Sequence, residues 1–274
     1  MKTMDFVIAV QQSRIEPSDY EKDGLLYCGK CDTPKQCEVV LFGKRRIVPC
    51  LCKCQNEQFE KDEKEKKELK KKMRINEIRD EAFQDGRMKS WTFKNDDQKN
   101  LELSKRMRNY AKNFNEFQKN GRGILLYGNT GNGKTFMGCC VVNFLIDSGF
   151  TALVKNFNSI SNELFSEQRK DEYMERLNRV SILMLDDLDI ERESAYMNEV
   201  VYSVIDGRYR AKKPIIVTTN LSAAQMKNAT TIEKQRIYSR LMDMCIPISV
   251  TGEDRRYENA KKQFEKDMKI LNGG

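Results

Sequence analysis

The chain contains no histidine. That absence removes Ser-His and Cys-His nucleophile pairs and every His-ligated metal site, so a structural zinc must rest on cysteine or carboxylate. Long apolar runs are missing too. No stretch approaches the length needed to cross a bilayer, and Met1–Ala9 lacks a signal-peptide pattern, so a cytoplasmic protein is expected. There is one tryptophan, Trp91. What the chain does have is charge: 33% of its 274 residues are Asp, Glu, Lys or Arg, with a net charge of +8. The surplus is moderate and fits an anionic partner such as nucleic acid. The length suffices for one medium domain and a small one.

Six of the nine cysteines fall between Cys28 and Cys54. In a cytosolic chain such clustering points to metal before disulfides. Cys28-Gly29-Lys30-Cys31 is a C-x-x-C turn that lets two thiolates face one ion. Glu38–Phe42 and Arg45–Val48 read as strands flanking a Gly43-Lys44 turn, and Cys50-Leu51-Cys52-Lys53-Cys54 then returns. Knuckle, hairpin and second thiolate pair describe a zinc ribbon. Any two of the last three cysteines would serve. Cys52 and Cys54 are favoured, Cys50 is held in reserve, and Cys37 is expected to be a bystander. No βαβ pattern surrounds the motif, which argues against redox work. Upstream, Asp5 to Arg14 is expected to form a short helix or strand.

Gln55–Arg79 is rich in Glu, Asp, Lys and Arg, lacks Pro and Gly, and sets opposite charges three and four apart. It reads as a solvated helix linking two modules, with Lys70, Lys71, Lys72 and Arg74 as the alternative of a basic nucleic-acid arm. Trp91-Thr92-Phe93 is expected to pack on the domain that follows or beside a base. Gln98–Gln118 carries apolar residues at helical spacing, Leu101, Met107, Tyr110, Phe114 and Phe117.

The stretch Gly128-Asn129-Thr130-Gly131-Asn132-Gly133-Lys134-Thr135 is a full G-x-x-x-x-G-K-[ST] pattern. It follows the apolar run Ile124–Tyr127 and precedes a helical segment, Phe136–Ile146, which is the strand–loop–helix context the motif requires. Glycines let consecutive N–H groups turn inward around a phosphate, and the helix adds its positive end. Lys134 would reach the terminal phosphates of ATP, and the Thr135 hydroxyl would sit on Mg²⁺. About fifty residues later, Ile182–Leu185 ends in Asp186-Asp187. Carboxylates at the carboxyl end of a parallel strand sit where ligands bind. Asp186 would hold the magnesium, and Asp187 would orient the attacking water. Asp189 and Glu191 read as surface residues. Asn220 ends the strand Pro214–Asn220, either as a turn residue or as a group that holds the water. Arg236 and Arg240 share one helix face, and Arg255 and Arg256 follow the last strand, Ile246–Val250. Alternating strands and helices from Gly121 onward predict an α/β parallel sheet covered on both faces.

These motifs, in this order, resemble the AAA+ ATPases of the DnaC/DnaI-type replicative helicase loader family, within the IstB-like superfamily, including phage and mobile-element versions. The matching pieces are CGKC…CLCKC, WTF, GNTGNGKT, ILMLDDL, RYRAKKPIIVTTNLS, RIYSRL and GEDRRYENA. The resemblance implies an AAA+ P-loop fold with a five-stranded parallel sheet of order 5-1-4-3-2. It implies that Arg240 is an arginine finger reaching a neighbour's site, that Asn220 is a first sensor, and that Arg256 touches the γ-phosphate from its own subunit. Asn158–Asn178 would correspond to helices that grip single-stranded DNA. The family uses no full lid domain, and only one helix follows Val250 here. Other loaders can place His among their zinc ligands, and this chain cannot. The implied organisation is a zinc-binding module over residues 1–57, a charged helical linker over 58–97 and an ATPase domain over 98–274. The implied function is ATP-dependent loading of a replicative hexameric helicase, with ATP, Mg²⁺ and Zn²⁺ as cofactors and single-stranded DNA and self-association as contacts. Two readings stay beside it: an IstB-like transposition helper acting on duplex DNA with a transposase, and a zinc-ribbon DNA-binding regulator with a non-hydrolysing ATP switch. A helicase-inhibiting phage protein is a weaker third.

Overall fold

The computed structural model describes residues 15–166, 169–188, 195–252 and 254–272. The expected element over Asp5–Arg14 and the expected surface positions of Asp189 and Glu191 lie outside them. The chain divides into two compact units, Met1–Met73 and Arg74–Gly274.

The first unit is built on two small hairpins. Strands β1 (Tyr20–Lys22) and β2 (Leu25–Tyr27) pair antiparallel around Asp23-Gly24, both with positive φ. Strands β3 (Gln36–Leu41) and β4 (Lys44–Pro49) form the second. Its turn is Phe42-Gly43, with φ of 51° and 73°, one residue earlier than the expected Gly43-Lys44. Two-residue hairpin loops of this hand need positive φ at both central positions. Gly43 takes the second of them, so Phe42 takes the first and Lys44 pairs with Leu41. Phe42 is left fully exposed, and Val40, Leu41 and Ile47 are exposed beside it. Beneath the hairpins Lys35 and Asp19 form a buried ion pair at 2.5 Å. Asp19 also accepts the N–H groups of Glu16 and Gly29, so each charge is compensated where water is excluded.

Helix α1 (Lys53–Ala82) is three residues longer at its C-terminal end than the charge pattern predicts, and two longer at the other. Pairs four apart such as Asn56–Glu60 and Gln58–Asp62 hydrogen-bond along it, as its composition demands. Its last turns become apolar: Ile75, Ile78 and Ala82 join the core of the second unit.

In that unit a 3₁₀ turn (Gly86–Ser90) leads to α2 (Leu101–Lys112) and α3 (Phe114–Lys119). The periodicity over Gln98–Gln118 predicts one helix; the chain breaks at Asn113. Its side-chain amide donates to the Asn109 carbonyl at 2.9 Å, the local competition that makes Asn a poor helix interior. The break turns Phe114 into an aromatic group with Tyr110 and Phe150. Then come β5 (Gly123–Tyr127), α4 (Lys134–Asp147), β6 (Ala152–Asn156), α5 (Phe157–Ser166), α6 (Lys170–Arg179) and β7 (Ile182–Asp186). The chain continues through α7 (Ala195–Arg210), β8 (Ile215–Thr219), α8 (Ala223–Lys227), α9 (Ile232–Met244), β9 (Cys245–Ser249) and α10 (Arg255–Leu271).

All five strands from β5 onward are parallel, in the order β6-β7-β8-β5-β9. Counted from β5, that is the expected 5-1-4-3-2. Both faces are covered, which is why the strands read as unbroken apolar runs. Alternation along each strand divides the side chains between two cores. Ile124, Leu126, Ile182, Met184 and Ile216 go to one. Leu125, Leu183, Leu185, Ile215 and Val217 go to the other.

One buried cation closes the opposite edge of the sheet from the site. Arg208 of α7 is fully buried, and its guanidinium donates to the carbonyls of Leu177, Val180, Ser181 and Pro214. It ties the end of α6 to the starts of β7 and β8. Among the described residues no helix is long and apolar enough to cross a membrane. Arg208→Ala would strand those carbonyls and open a void, so urea denaturation should show a loss of about 3 kcal/mol.

Candidate nucleotide and metal sites

Strands β5, β7 and β8 end at one edge of the sheet, and the sequence motifs meet there. After Tyr127 the chain turns through the glycine loop and enters α4 at Lys134, with Gly133 in the left-handed region at φ 86°. Lys134 is 7% exposed. Its ammonium donates to the carbonyls of Gly128 at 2.8 Å and Asn129 at 2.7 Å, and to Asn220 Oδ1 at 2.9 Å. All three donors of the group are used. Burial pulls its pKa down, while Asp187 and Asp186 push it up.

One hydroxyl ties the Asp186 carboxylate to the Asp187 backbone. Thr218 Oγ1 donates to Asp186 Oδ1 at 2.7 Å and accepts the Asp187 N–H at 2.8 Å. Burial pushes the Asp186 carboxyl up from its ordinary range, against the pull of the Thr218 and Thr135 hydroxyls. Asp187 has a φ of 55°, a conformation Asp tolerates better than most residues. That bend points its Oδ1 at Asn220, whose amide donates to it at 2.9 Å. Asn220 therefore bridges Lys134 and Asp187.

A cavity of about 410 Å³ opens over this arrangement. Thr130, Gly131, Gly133, Lys134, Thr135, Asp186, Asp187, Asn220 and Arg256 all line it. Three loop residues contribute otherwise: Gly128 and Asn129 supply carbonyls to Lys134, and Asn132 turns inward to the Val250 carbonyl at 3.1 Å. Trp91 lines the cavity and packs on Phe136 with ring centroids 5.9 Å apart. Its backbone is anchored because buried Asn143 donates to the carbonyls of Met88 and Trp91. Arg240 is elsewhere. It pairs with Asp206 at 2.5 Å and lies over the rings of Tyr202 and Tyr209.

Sequence reasoning passed over Thr218, which orders both acidic residues; the available signal was a hydroxyl pair ending the apolar run of β8. It also passed over Asp97 and gave Arg255 no role, yet both side chains line the cavity. The residues fit a nucleotide and its magnesium ion by donor chemistry: a glycine loop leading into a helix N-terminus, one buried cation, and hydroxyl and carboxylate groups lining one cavity.

In the first unit the sulfur atoms of Cys28, Cys31, Cys52 and Cys54 all lie within 4.8 Å of one another. Cys28 and Cys54 are 3.7 Å apart, and Cys52 and Cys54 3.4 Å. Zinc–thiolate bonds of about 2.3 Å in a tetrahedron need sulfurs about 3.8 Å apart, so the group fits the ion. Thr33 approaches Cys31 at 3.0 Å and holds its thiol down to about 6. Hydrogen bonding to Cys52 pushes Cys54 up to about 12. Crowded thiols of this kind deprotonate together when a cation joins them. Cys50 points instead at the Pro34 carbonyl, 3.6 Å away. Burial and nearby Cys37 push it up to about 11.

A family model described as IstB-like ATP binding protein matches residues 57–263. The replicative helicase loader DnaI of Bacillus subtilis is 28% identical over 174 residues, 59% of this chain and 56% of that protein. The replicative helicase loader DnaC of Buchnera aphidicola subsp. Schizaphis graminum is 25% identical over 130 residues, covering 45% and 52%. The chain thus spans about half the length of the curated relatives it matches. A crystal structure of DnaI superposes with a TM-score of 0.55 at 23% identity, covering 64% of this chain and 95% of that one, and shares the fold.

The purified chain should carry about one zinc, read by elemental analysis at neutral pH. Cys54→Ser should cut that content sharply, and Cys37→Ser should leave it unchanged.

Proposed function

The chain belongs to the IstB-like ATP-binding protein family, and from that footing we propose that it is an ATP-hydrolysing loader of a replicative hexameric DNA helicase. The observation that carries the proposal is the wiring of Lys134, Asn220 and Asp187. A buried cation, a polar amide and a carboxylate are joined in line at the mouth of a phosphate loop. Residues that merely store a nucleotide have no need of the last two.

Each side chain has a role in this reading. Lys134 exchanges its loop carbonyls for the β- and γ-phosphates of ATP. Thr135 and Asp186 are the residues that would hold Mg²⁺, which supplies charge neutralisation between those phosphates. Asp187 and Asn220 position the attacking water, and Arg256 contacts the γ-phosphate. Arg240 serves the site of a neighbouring copy, so turnover depends on self-association. Residues 1–57, with zinc on Cys28, Cys31, Cys52 and Cys54, form the helicase-binding module; 58–97 form the connector; 98–274 form the motor. The exposed apolar tip Val40, Leu41, Phe42 and Ile47 supports a docking role for the module. Helices α5 and α6 contact single-stranded DNA, a reading supported by exposed Arg176 and Arg179. The second reading is a transposition helper acting on duplex DNA, the alternative that the sequence leaves beside the loader.

Mixing the full chain with a hexameric replicative helicase should give a stoichiometric complex on gel filtration; recovery of a transposase instead would favour the second reading. Phe42→Asp should weaken that complex and leave ATP binding intact. Lys134→Ala should lose ATP uptake and cleavage. Arg240→Ala should keep ATP binding and lose DNA-stimulated turnover, by about a thousandfold where a finger acts in trans; an unchanged rate would remove that assignment.

A further inference from the structure

The segment between β9 and α10 is fastened along the glycine loop. The Val250 N–H donates to the Tyr127 carbonyl at 2.8 Å, Asn132 Nδ2 to the Val250 carbonyl at 3.1 Å, and the Arg255 N–H to the Gly131 carbonyl at 3.1 Å. Asp254 caps α10 by accepting the N–H groups of Arg256 and Tyr257. Its carboxylate sits so close to the loop that a Cβ on Gly131 would lie 1.9 Å from Oδ1. Gly131 is thus dictated by Asp254, a demand separate from the phosphate motif itself.

Arg255 comes next, and it is not a solvated arginine. Its side chain is 19% exposed. Its guanidinium lies against Gly133, with Nη1 3.3 Å and Cζ 3.4 Å from where a Cβ would stand. The same Nη1 is 3.1 Å from Asp97 Oδ1, on the strap that leads from Trp91 into α2. Asn100, which caps α2, donates to the Thr251 carbonyl at 3.3 Å, so the strap is tied to the C-terminal segment at two points. Asp97, Gly133 and Arg255 all line the cavity above the loop.

We propose that Arg255 is a further nucleotide-binding residue, and that Asp97 is the residue that positions it. The proposal rests on the nucleotide reading of the cavity. Gly133 is the last loop residue before Lys134, so a guanidinium lying against it faces the part of the polyphosphate that ATP and ADP share. Arg256, one residue further along, is the group assigned to the γ-phosphate. Two adjacent arginines then divide the work: Arg255 holds either nucleotide, and Arg256 tells them apart. A planar guanidinium with several donors suits phosphate oxygens, and a charge-assisted hydrogen bond of this kind supports about a tenfold gain in affinity.

The test is titration of the full chain with ATP and with ADP in the presence of magnesium, by calorimetry. Arg255→Ala and Arg255→Gln should each weaken both nucleotides about tenfold. Arg256→Ala should weaken ATP and spare ADP. Asp97→Asn should weaken both by a smaller factor and add nothing in the Arg255→Ala background. Arg255 variants that bind ATP and ADP within about twofold of the parent overturn the proposal. An Asp97→Asn loss that persists undiminished beside Arg255→Ala overturns the positioning role. Lys134→Ala separates the two levels: if it binds nucleotide like the parent, the site itself is misread, whereas its failure to bind beside unaffected Arg255 variants removes Arg255 alone.

Discussion

The second unit turns on a positive charge kept largely out of water at the mouth of a parallel sheet. A lysine that is 7% exposed cannot stay charged without compensation. Here two loop carbonyls and one amide oxygen accept its three N–H groups. Holding the carbonyls of Gly128 and Asn129 inward draws the loop around Lys134. Holding Asn220 fixes the tip of β8 relative to β5. From Asn220 the constraint passes to the Asp187 carboxylate, and from Thr218 to the Asp186 carboxylate and the Asp187 N–H. The arrangement is close to what a triphosphate requires, because phosphate oxygens are better acceptors for an ammonium than amide carbonyls are.

That wiring was legible in the sequence wherever it depends on local spacing. The glycine loop, the paired aspartates and the parallel sheet follow from motif context and from the apolar runs that a sheet covered on both faces produces, while the strand order comes only with the family resemblance. The parts that could not be read are tertiary. Thr218 looks like an ordinary β-branched strand residue, and only the meeting of β7 with β8 puts its hydroxyl between the Asp186 carboxylate and the Asp187 N–H. Asp97 sits in a polar stretch with no pattern, and Arg255 is hard to tell from its neighbour until the C-terminal segment lies along the loop. The same holds for the helix that breaks at Asn113. Period alone spans the gap, and the burial of Phe114 decides it.

The cysteine-rich unit shows a different balance. Its two hairpins bury little, and its interior is held by one ion pair, Asp19 with Lys35, and by four converging sulfurs. A unit of this size rarely closes a hydrophobic core large enough to fold unaided. A metal held by the four sulfurs would thus be a matter of stability as much as of function, and the apolar residues of the second hairpin face outward. Phe42 illustrates the consequence. It occupies a left-handed turn position that favours Gly or Asn, with its ring in solvent. Both features cost free energy in the isolated module, and a docking surface would recover the second of them.

The position of Arg240 follows the same logic. On the assignment as a finger for a neighbouring site, an arginine waiting in water would be freely mobile, and ordering it would cost entropy at the moment of assembly. Instead it rests on Tyr202 and Tyr209 and pairs with Asp206. Those contacts order the side chain in advance and neutralise it. They also set a threshold, since a partner must offer more than a carboxylate and two aromatic faces. A triphosphate carries more charge than Asp206, whereas most surface carboxylates would merely equal it. Beside it Ile232 and Tyr209 are exposed on α9 and α7, apolar surface that a second copy would cover on the same assignment. On that assignment a finger held this way would discriminate by charge density, and the occupied nucleotide site of a neighbour would be the partner it answers to.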